Sequence, residues 1–465
     1  MDRKPAVAGT FYSGNNEDLE EELTTLFSLA VPRKWNDVRA IIVPHAGYVF
    51  SGKVAASAFN QIPEDAEYDR IFIIGSSHYV AENIVSTYTQ GNYKTPLGEV
   101  TVDSELITSL ITACDFIKYL HQADAPEHCI EVQLPFLSHH LKRDFKIVPL
   151  IICTWSKTII ESLSKVLEPY FTKKNLFVIS TDFSHYPSSL DATKIDLETA
   201  DSICLNNKTA FHDTLTKHKH AGVSELITDL CGWTSVLCLL NITQDKSTVI
   251  YHKVDYANSG DSEFGDKSRV VGYYAIAITE TVVEFSISDA DKKTLLSISR
   301  IAIERYIKHK EVYVPDKSKL SKMLLEHCGA FVSLHKHGDL RGCIGHFGAD
   351  TELCDVVINM AIESATQDYR FPPVTVNEID SLEIELSVLS PMRKIASIDE
   401  FELGKHGIYI KKGNHVGTFL PQVADSTHWK KEEFLSHCSH DKAGLDWDGW
   451  KTADLYVYEA IVFKE

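Results

Sequence analysis

RAIIVPHAGY (39–48), RIFIIGSSHY (70–79) and NLFVISTDFSHY (175–186) are three short apolar runs, and each breaks off on a residue able to do chemistry: His45, His78, and the pair Asp182 and His185. Nearly continuous Ile, Val, Leu and Phe is the composition of strands covered on both faces. In an open α/β sheet the crevice forms beyond the carboxyl ends of such strands, so side chains just past those ends converge from distant sequence positions. A metal site is the reading this pattern favours, with Cys231 in DLCGW (229–233) as a later candidate ligand.

Outward from these runs, strand and helix alternate. VRAIIVPH, YDRIFIIGSSH, FKIVPLIIC and NLFVIST read as strands, and SGKVAASAFNQI, DSELITSLITAC and TIIESLSKVLEPYF as the helices between them. That order predicts an α/β unit with a largely parallel sheet flanked by helices. The texture changes after RVVGYYAIAITE (269–280), an apolar strand ending near Thr279 that TVVEFSIS (281–288) would extend. SISDADKKTLLSISRIAIERYIKHK (286–310) then reads as a new helix, capped by Ser288 or Asp289, with Leu295, Leu296, Ile298, Ile301, Ala302 and Ile303 on one face. The boundary is expected between 280 and 290, giving domains 1–282 and 288–465.

At 465 residues and 44% apolar content the chain is long enough to bury two cores. A formal net charge of −19 argues against nucleic-acid or anionic-membrane partners, since no basic stripe relieves it; Lys173–Lys174 and Lys411–Lys412 are isolated pairs. Ten cysteines spread over two domains, with no leader pattern at MDRKPAVAGT and no apolar run of membrane-spanning length, fit a reducing cytoplasm.

Imidazoles from His45 and His78 suit zinc, iron, copper or nickel, and a Cys231 thiolate would soften the set and add one negative charge. Three protein ligands leave positions open for substrate or water, as catalytic rather than structural sites do. If Cys231 sits at the start of the helix GWTSVLCLLN, the helix dipole favours its thiolate. Asp182 and His185, three apart, would line the same pocket, His185 shuttling protons and Asp182 orienting it; the plainer alternative makes Asp182 a turn or capping residue. In APEHCIEVQLPFL (125–137), His128 and Glu131 share a side if the stretch is helical and are pocket candidates, with a surface His and a backbone-bonded Glu as the default.

The motifs AVAGTFYSG, VPHAGYVFSG, GSSHY, EHCIEVQLPFL, STDFSHY, LCG and YANSGD, in this order over about the first 280 residues, resemble the Memo family. That resemblance implies the fold of class III extradiol ring-cleaving dioxygenases, with a metal pocket of His45, His78 and Cys231 lined by Asp182 and His185. It makes Fe(II) the first expectation, with Cu or Zn as alternatives. The dioxygenases use two His and one Glu, so Cys231 in the place of the carboxylate puts catechol cleavage in question.

From about 288 onward, LRGCIGHF (340–347), DYRFPPV (368–374), LEIELSVLSPM (382–392), KHGIYIKKGNHVGTFLPQVA (405–424) and DKAGL (441–445) are similar to the AMMECR-one domain family, which implies an α+β fold. In LRGCIG, Arg341 and Cys343 flank Gly342 after the strand AFVSLHK. Arg341 is expected to lower the thiol pKa of Cys343, and the glycines to admit a ligand; a buried structural Cys is the alternative. Asp368 and Arg370 are expected to pair locally. Proteins carrying these two domains resemble components of the AmmeMemoRadiSam system, which implies a radical S-adenosylmethionine partner. The leading expectation is a non-haem metal oxidoreductase acting on a small or protein-borne aromatic or other oxygen-bearing substrate. A metal-bearing docking scaffold and a zinc hydrolase with His185 as base are the alternatives.

Overall fold

The structure is a computed structural model and describes residues 2–281, 285–347, 351–395 and 397–465. The chain divides into two compact units, Met1–Val283 and Glu284–Glu465.

The first unit has strands β1 (Val38–Val43), β2 (Arg70–Ser76), β3 (Val85–Ser86), β4 (Tyr93–Thr95), β5 (Gly98–Val100), β6 (Ile117–Lys118), β7 (Lys146–Ile152), β8 (Asn175–Ser180), β9 (Val249–Asn258) and β10 (Gly272–Glu280). Its helices are α1 (Asn16–Ser28), α2 (Tyr48–Phe59), α3 (Ser104–Ala113), α4 (His121–Asp124), α5 (Leu134–His140), α6 (Lys157–Leu167), α7 (Ser189–Cys204), α8 (Lys208–His220) and α9 (Trp233–Thr243). Eight strands form one sheet in the order β6-β3-β7-β2-β8-β1-β10-β9. The centre, β7-β2-β8-β1, is parallel. Every residue of β1 and β8 is buried, as is the Ile-Phe-Ile-Ile centre of β2, because helices cover the sheet: α2 packs on β1, β9 and β10, and α9 on β2 and β8.

The expected α/β unit with a mostly parallel sheet is present, and the structure adds antiparallel edges. β10 runs antiparallel to β1, β9 to β10, and β3 to β7. The expected extension of β10 by TVVEFSIS does not hold where it can be seen. Residues 282–284 lie outside the described residues, and 285–287 form no strand; Ile287 is instead buried in the core of the second unit, with Phe285 packed against it.

The second unit is α+β. It opens on α10 (Asp289–His309), whose N-terminus is capped by Ser288 accepting from the Asp291 N–H. Then follow β11 (Gly329–Lys336), β12 (Asp339–His346), α11 (Leu353–Thr366), β13 (Leu382–Leu389), β14 (Arg393–Ile395), β15 (Gly407–Lys412), β16 (His415–Phe419), α12 (Val423–Thr427), α13 (Lys431–His437), β17 (Asp454–Tyr458) and β18 (Ala460–Lys464). Two antiparallel sheets result, β12-β11-β13-β18 and β14-β17-β15-β16. The β11–β12 hairpin turns through His337 and Gly338 at φ 55° and 90°, the left-handed pair that a two-residue hairpin loop of this twist demands. α10 and α11 pack together, and α11 lies on β11 and β12.

Candidate metal centre

His45 follows β1 by two residues and is almost wholly buried. Its ring is fixed from both sides of the β1–β8 pair. Nδ1 lies 3.0 Å from the Oγ of Ser180, the last residue of β8. Ser180 Oγ donates to the Cys129 carbonyl at 2.5 Å and accepts from Gln133 Nε2 at 3.0 Å, so its own proton is spent. Nδ1 of His45 must therefore be the donor, which leaves the Nε2 lone pair free. Nε2 sits 3.3 Å from the Cys231 sulfur.

His78, two residues beyond β2, is oriented the same way by a carboxylate. Its backbone N–H and its Nδ1 donate to Glu127 at 2.8 and 2.9 Å, again freeing Nε2. Cys231 immediately precedes Gly232, the residue capping α9. Its sulfur accepts the Asp182 backbone N–H at 3.2 Å. Burial alone would raise the Cys231 thiol, but the neighbouring imidazoles of His45, His185 and His78 overcome it and hold the pKa well below the ordinary value. One ligand atom from each of His45, His78 and Cys231 lies within 4.8 Å of the others.

This donor set fits a divalent transition metal. Two imidazoles present free Nε2 atoms, each with its Nδ1 held by a fixed partner, and the third group is a thiolate. The charge balance points the same way. Burial disfavours a charged His45 and His78, yet the Cys231 thiolate, Asp182 and Glu127 push both pKa values up, so the site attracts positive charge. A bound cation satisfies that demand without protonating the rings.

The other expected pocket residues divide. His128 lines the site: its ring stacks on His78 at 4.8 Å and meets His45 at 5.3 Å and Phe11 at 4.9 Å. Burial, helped by the charge on His45, pushes its pKa down to about 3, so it stays neutral. It is not the surface residue of the default reading. Glu131 does not reach the pocket. It begins a short 3₁₀ turn (Glu131–Gln133) and accepts from Arg3 at 2.8 Å, the backbone of Ala6 at 2.7 Å and Val7 at 2.9 Å, and the Tyr12 hydroxyl at 2.9 Å. It anchors the N-terminal AVAGTFYSG segment, and that segment in turn delivers Phe11 to the wall of the site.

Asp182 and His185 both stand beside Cys231, but not as a pair. The Asp182 carboxylate accepts the His45 backbone N–H at 2.8 Å, so it positions His45 rather than the His185 ring, and it caps no helix. His185 is fixed through its backbone, which donates to Thr228 at 2.9 Å and accepts from Ile227 at 3.1 Å. Its Nε2 is buried with no hydrogen-bond partner among the described residues. The carboxylate that does orient an imidazole is Glu127, which the sequence reading passed over in favour of Glu131; Ser180 and Gln133 were also missed. The only signal for Glu127 was its place beside His128 in EHC.

In the second unit, Arg341 and Cys343 both lie on β12, Arg341 as the unpaired residue of a bulge between the Gly342 and Leu340 pairings, and Arg341 is committed elsewhere. It pairs with Glu378 at 3.3 Å, alongside Lys336 at 2.9 Å. Cys343 Sγ accepts from the Ser333 hydroxyl at 3.2 Å, and its N–H donates to Asp368 at 2.8 Å. Asp368 and Arg370 form the expected ion pair at 2.7 Å, and Arg370 also reaches the Cys343 carbonyl. The glycines of LRGCIG are required by packing within the unit. A Cβ on Gly342 would lie 2.2 Å from the Ser364 carbonyl of α11, and one on Gly345 would lie 2.1 Å from the Phe331 ring.

The profile of the Memo-like protein family matches residues 3–277. The chain belongs to the Memo-like family. A second profile, that of AMMECR1, matches residues 296–463, so the Memo-like region is fused to an AMMECR1 region. A MEMO1 family protein from Methanosarcina acetivorans is 36% identical over 279 residues, covering 59% of this chain and 98% of its own. One from Sulfurisphaera tokodaii is 32% identical over 291 residues, covering 59% and 99%. Among solved structures, the uncharacterized protein PH0010 from Pyrococcus horikoshii is 36% identical, with TM-score 0.36, covering 39% of this chain and 94% of its own. The uncharacterized protein JW3007 from Escherichia coli K12 is 13% identical, with TM-score 0.33, covering 50% and 98%. The Memo-like region thus holds His45, His78, Cys231, Asp182 and His185, and the AMMECR1 region holds Arg341 and Cys343. No helix among the described residues is long and apolar enough to cross a membrane.

Proposed function

We propose that the Memo-like region is a non-haem metal enzyme, with iron held by His45, His78 and Cys231, that carries out redox chemistry on a small or protein-borne substrate. Iron in this place would supply Lewis acidity and one-electron chemistry with coordination positions left for substrate. The observation that carries the reading is the His185 imidazole beside the Cys231 sulfur, which raises its pKa against the effect of burial, with the ring's buried Nε2 making no geometric hydrogen bond among the described residues. A structural site spends its polar groups on closing the metal; an unspent imidazole nitrogen in the same pocket suits proton transfer. Backbone bonds to Thr228 and Ile227 hold that ring, Asp182 fixes His45, Glu127 fixes His78, and Phe11 with neutral His128 makes one wall that limits water. A radical S-adenosylmethionine partner and an aromatic substrate follow from the family resemblance and belong to the same proposal.

The test is elemental analysis of anaerobically purified protein beside Cys231→Ala, with electronic spectra before and after oxygen. Stoichiometric iron that depends on Cys231 and responds to oxygen or a phenol supports a redox enzyme. A Cys231-dependent but redox-silent metal moves the assignment to zinc hydrolysis with His185 as base. No metal after reconstitution in either form leaves a docking scaffold.

A further inference from the structure

The residue after His185 is backbone-strained. Tyr186 has φ 76°, a left-handed conformation uncommon for a bulky side chain, which persists only where the surroundings over-determine it. Its N–H donates to the Val270 carbonyl at 2.6 Å, which ties it to the strand approaching β10. The neighbouring Arg269 lays its guanidinium over the Tyr186 ring, 3.9 Å from the centroid. The Tyr186 ring meets that of His185 edge-on at 5.6 Å. From pocket to solvent the order is therefore a buried His185 Nε2, a half-buried Tyr186 and an exposed Arg269.

Arg269 is not consumed by an ion pair among the described residues. Two acids of its own loop are engaged with backbone, Asp261 accepting the Asn258 N–H at 2.9 Å and Asp266 the Ser268 N–H at 2.8 Å, and the third, Glu263, is exposed and forms no ion pair with Arg269 among the described residues. Stacking occupies one face of the guanidinium and fixes its plane, while the N–H donors around its edge stay open for a planar or tetrahedral anion. In a chain of net charge −19 an anionic substrate is repelled by the general field and needs a local cation at the point of entry.

We propose that Arg269, held in place by Tyr186, is the specificity-determining residue at the rim of the His45, His78 and Cys231 pocket, and that the substrate carries a carboxylate or phosphate group. This rests on the reading of that pocket as a substrate site, and the experiment separates the two. Full-length protein, metal-free and zinc-loaded, is titrated calorimetrically with small carboxylates and phosphate monoesters (benzoate, phenyl phosphate, lactate, glycerol phosphate), each beside its neutral amide or alcohol. At least one anion should bind better than its neutral partner, and Arg269→Gln should weaken it about ten- to a hundredfold, the loss of one or two charge-assisted hydrogen bonds. Arg269→Lys, which keeps charge but not the planar fork, should fall between. Tyr186→Leu should weaken the anion to a similar extent while leaving zinc content unchanged. Carboxylates and phosphates are told apart by which class shows the Arg269 dependence. The proposal is overturned if no anion exceeds its neutral partner, or if Arg269→Gln leaves anion binding unchanged. Zinc content measured on the same samples reports the pocket independently: anion binding through Arg269 with no zinc bound would sink the metal reading and leave the rim standing.

Discussion

Glu127→Gln isolates the carboxylate that, among the described residues, accepts a hydrogen bond from a ring nitrogen of a proposed metal ligand. In the native site one Glu127 oxygen accepts His78 Nδ1 at 2.9 Å and the backbone N–H groups of His128 and Cys129 at 3.0 and 3.1 Å, while the other accepts the His78 N–H at 2.8 Å. Glutamine can place its oxygen on the first set, but its NH₂ then faces the His78 N–H and leaves that donor unsatisfied, at a cost of about 1–3 kcal/mol in stability. Loss of the negative charge also lowers the basicity of His78 Nε2, and partners of this kind are typically worth ~10–100-fold in metal affinity. The assay is anaerobic competition for Zn(II) and Fe(II) against a chromophoric chelator, with urea unfolding in parallel. Glu131→Gln is the control. It removes a buried carboxylate from Arg3, Tyr12 and two backbone N–H groups but touches no metal ligand, so it should cost about 3–5 kcal/mol of stability and leave the affinity of the folded fraction unchanged. Wild-type affinity in Glu127→Gln, or an equal loss in Glu131→Gln at matched folded fraction, would refute the assignment of Glu127.

Gly75→Ala would put a Cβ 2.3 Å from the Cys129 sulfur and push on the loop carrying Glu127 and His128; we expect about 1–3 kcal/mol of destabilisation and weaker metal binding, both partly restored in the Gly75→Ala, Cys129→Ala double variant, measured as a double-mutant cycle. Burial raises the Asp196 carboxyl to about 7 against hydrogen bonds from the Ser184 N–H and the Tyr256 hydroxyl. A raised carboxyl keeps its proton in the folded state while the unfolded chain loses its own, so this contribution is full below about pH 4 and fades by about 4 kcal/mol as pH rises through about 7; Asp196→Asn should flatten that slope in unfolding curves, and parallel curves would disprove it. Gly342→Ala, with its Cβ 2.2 Å from the Ser364 carbonyl, should destabilise the second unit while leaving the metal content of the first unchanged, read by calorimetry and elemental analysis.

What the sequence made legible was the layout that burial enforces. A buried parallel strand needs apolar residues on both faces, so β1, β2 and β8 stood out, and with them the residues just past their ends, His45, His78 and Asp182. Cys231 was legible for a similar reason, as a thiol at the start of a helix. What stayed hidden was everything decided by side-chain reach. A spacing of three from His128 points to Glu131 if the stretch is helical, but the chain there turns before entering a 3₁₀ helix, and Glu131 faces Arg3 instead. Nothing in the local pattern says which of two nearby carboxylates meets a histidine 49 positions away. The glycines of LRGCIG were likewise ambiguous, because close approach by a ligand and by the protein's own α11 and Phe331 require the same missing Cβ.

The position of Cys231 shows how the fold converts a packing constraint into a ligand position. The Gly232 N–H donates to the Thr181 hydroxyl at 2.8 Å, and a Cβ on Gly232 would lie 2.6 Å from the Thr181 Cβ, so the start of α9 can close on the end of β8 only with glycine there. That contact fixes the preceding residue, and the Asp182 N–H, next along the same strand end, meets its sulfur at 3.2 Å. The end of β8 therefore serves both remaining candidate ligands: Ser180 sets the His45 tautomer, while Thr181 and the Asp182 backbone set Cys231. The three donors are thus positioned by hydrogen bonds of the polypeptide itself, and the affinity of the proposed metal site is expected to depend on the residues behind the ligands as much as on the ligands themselves.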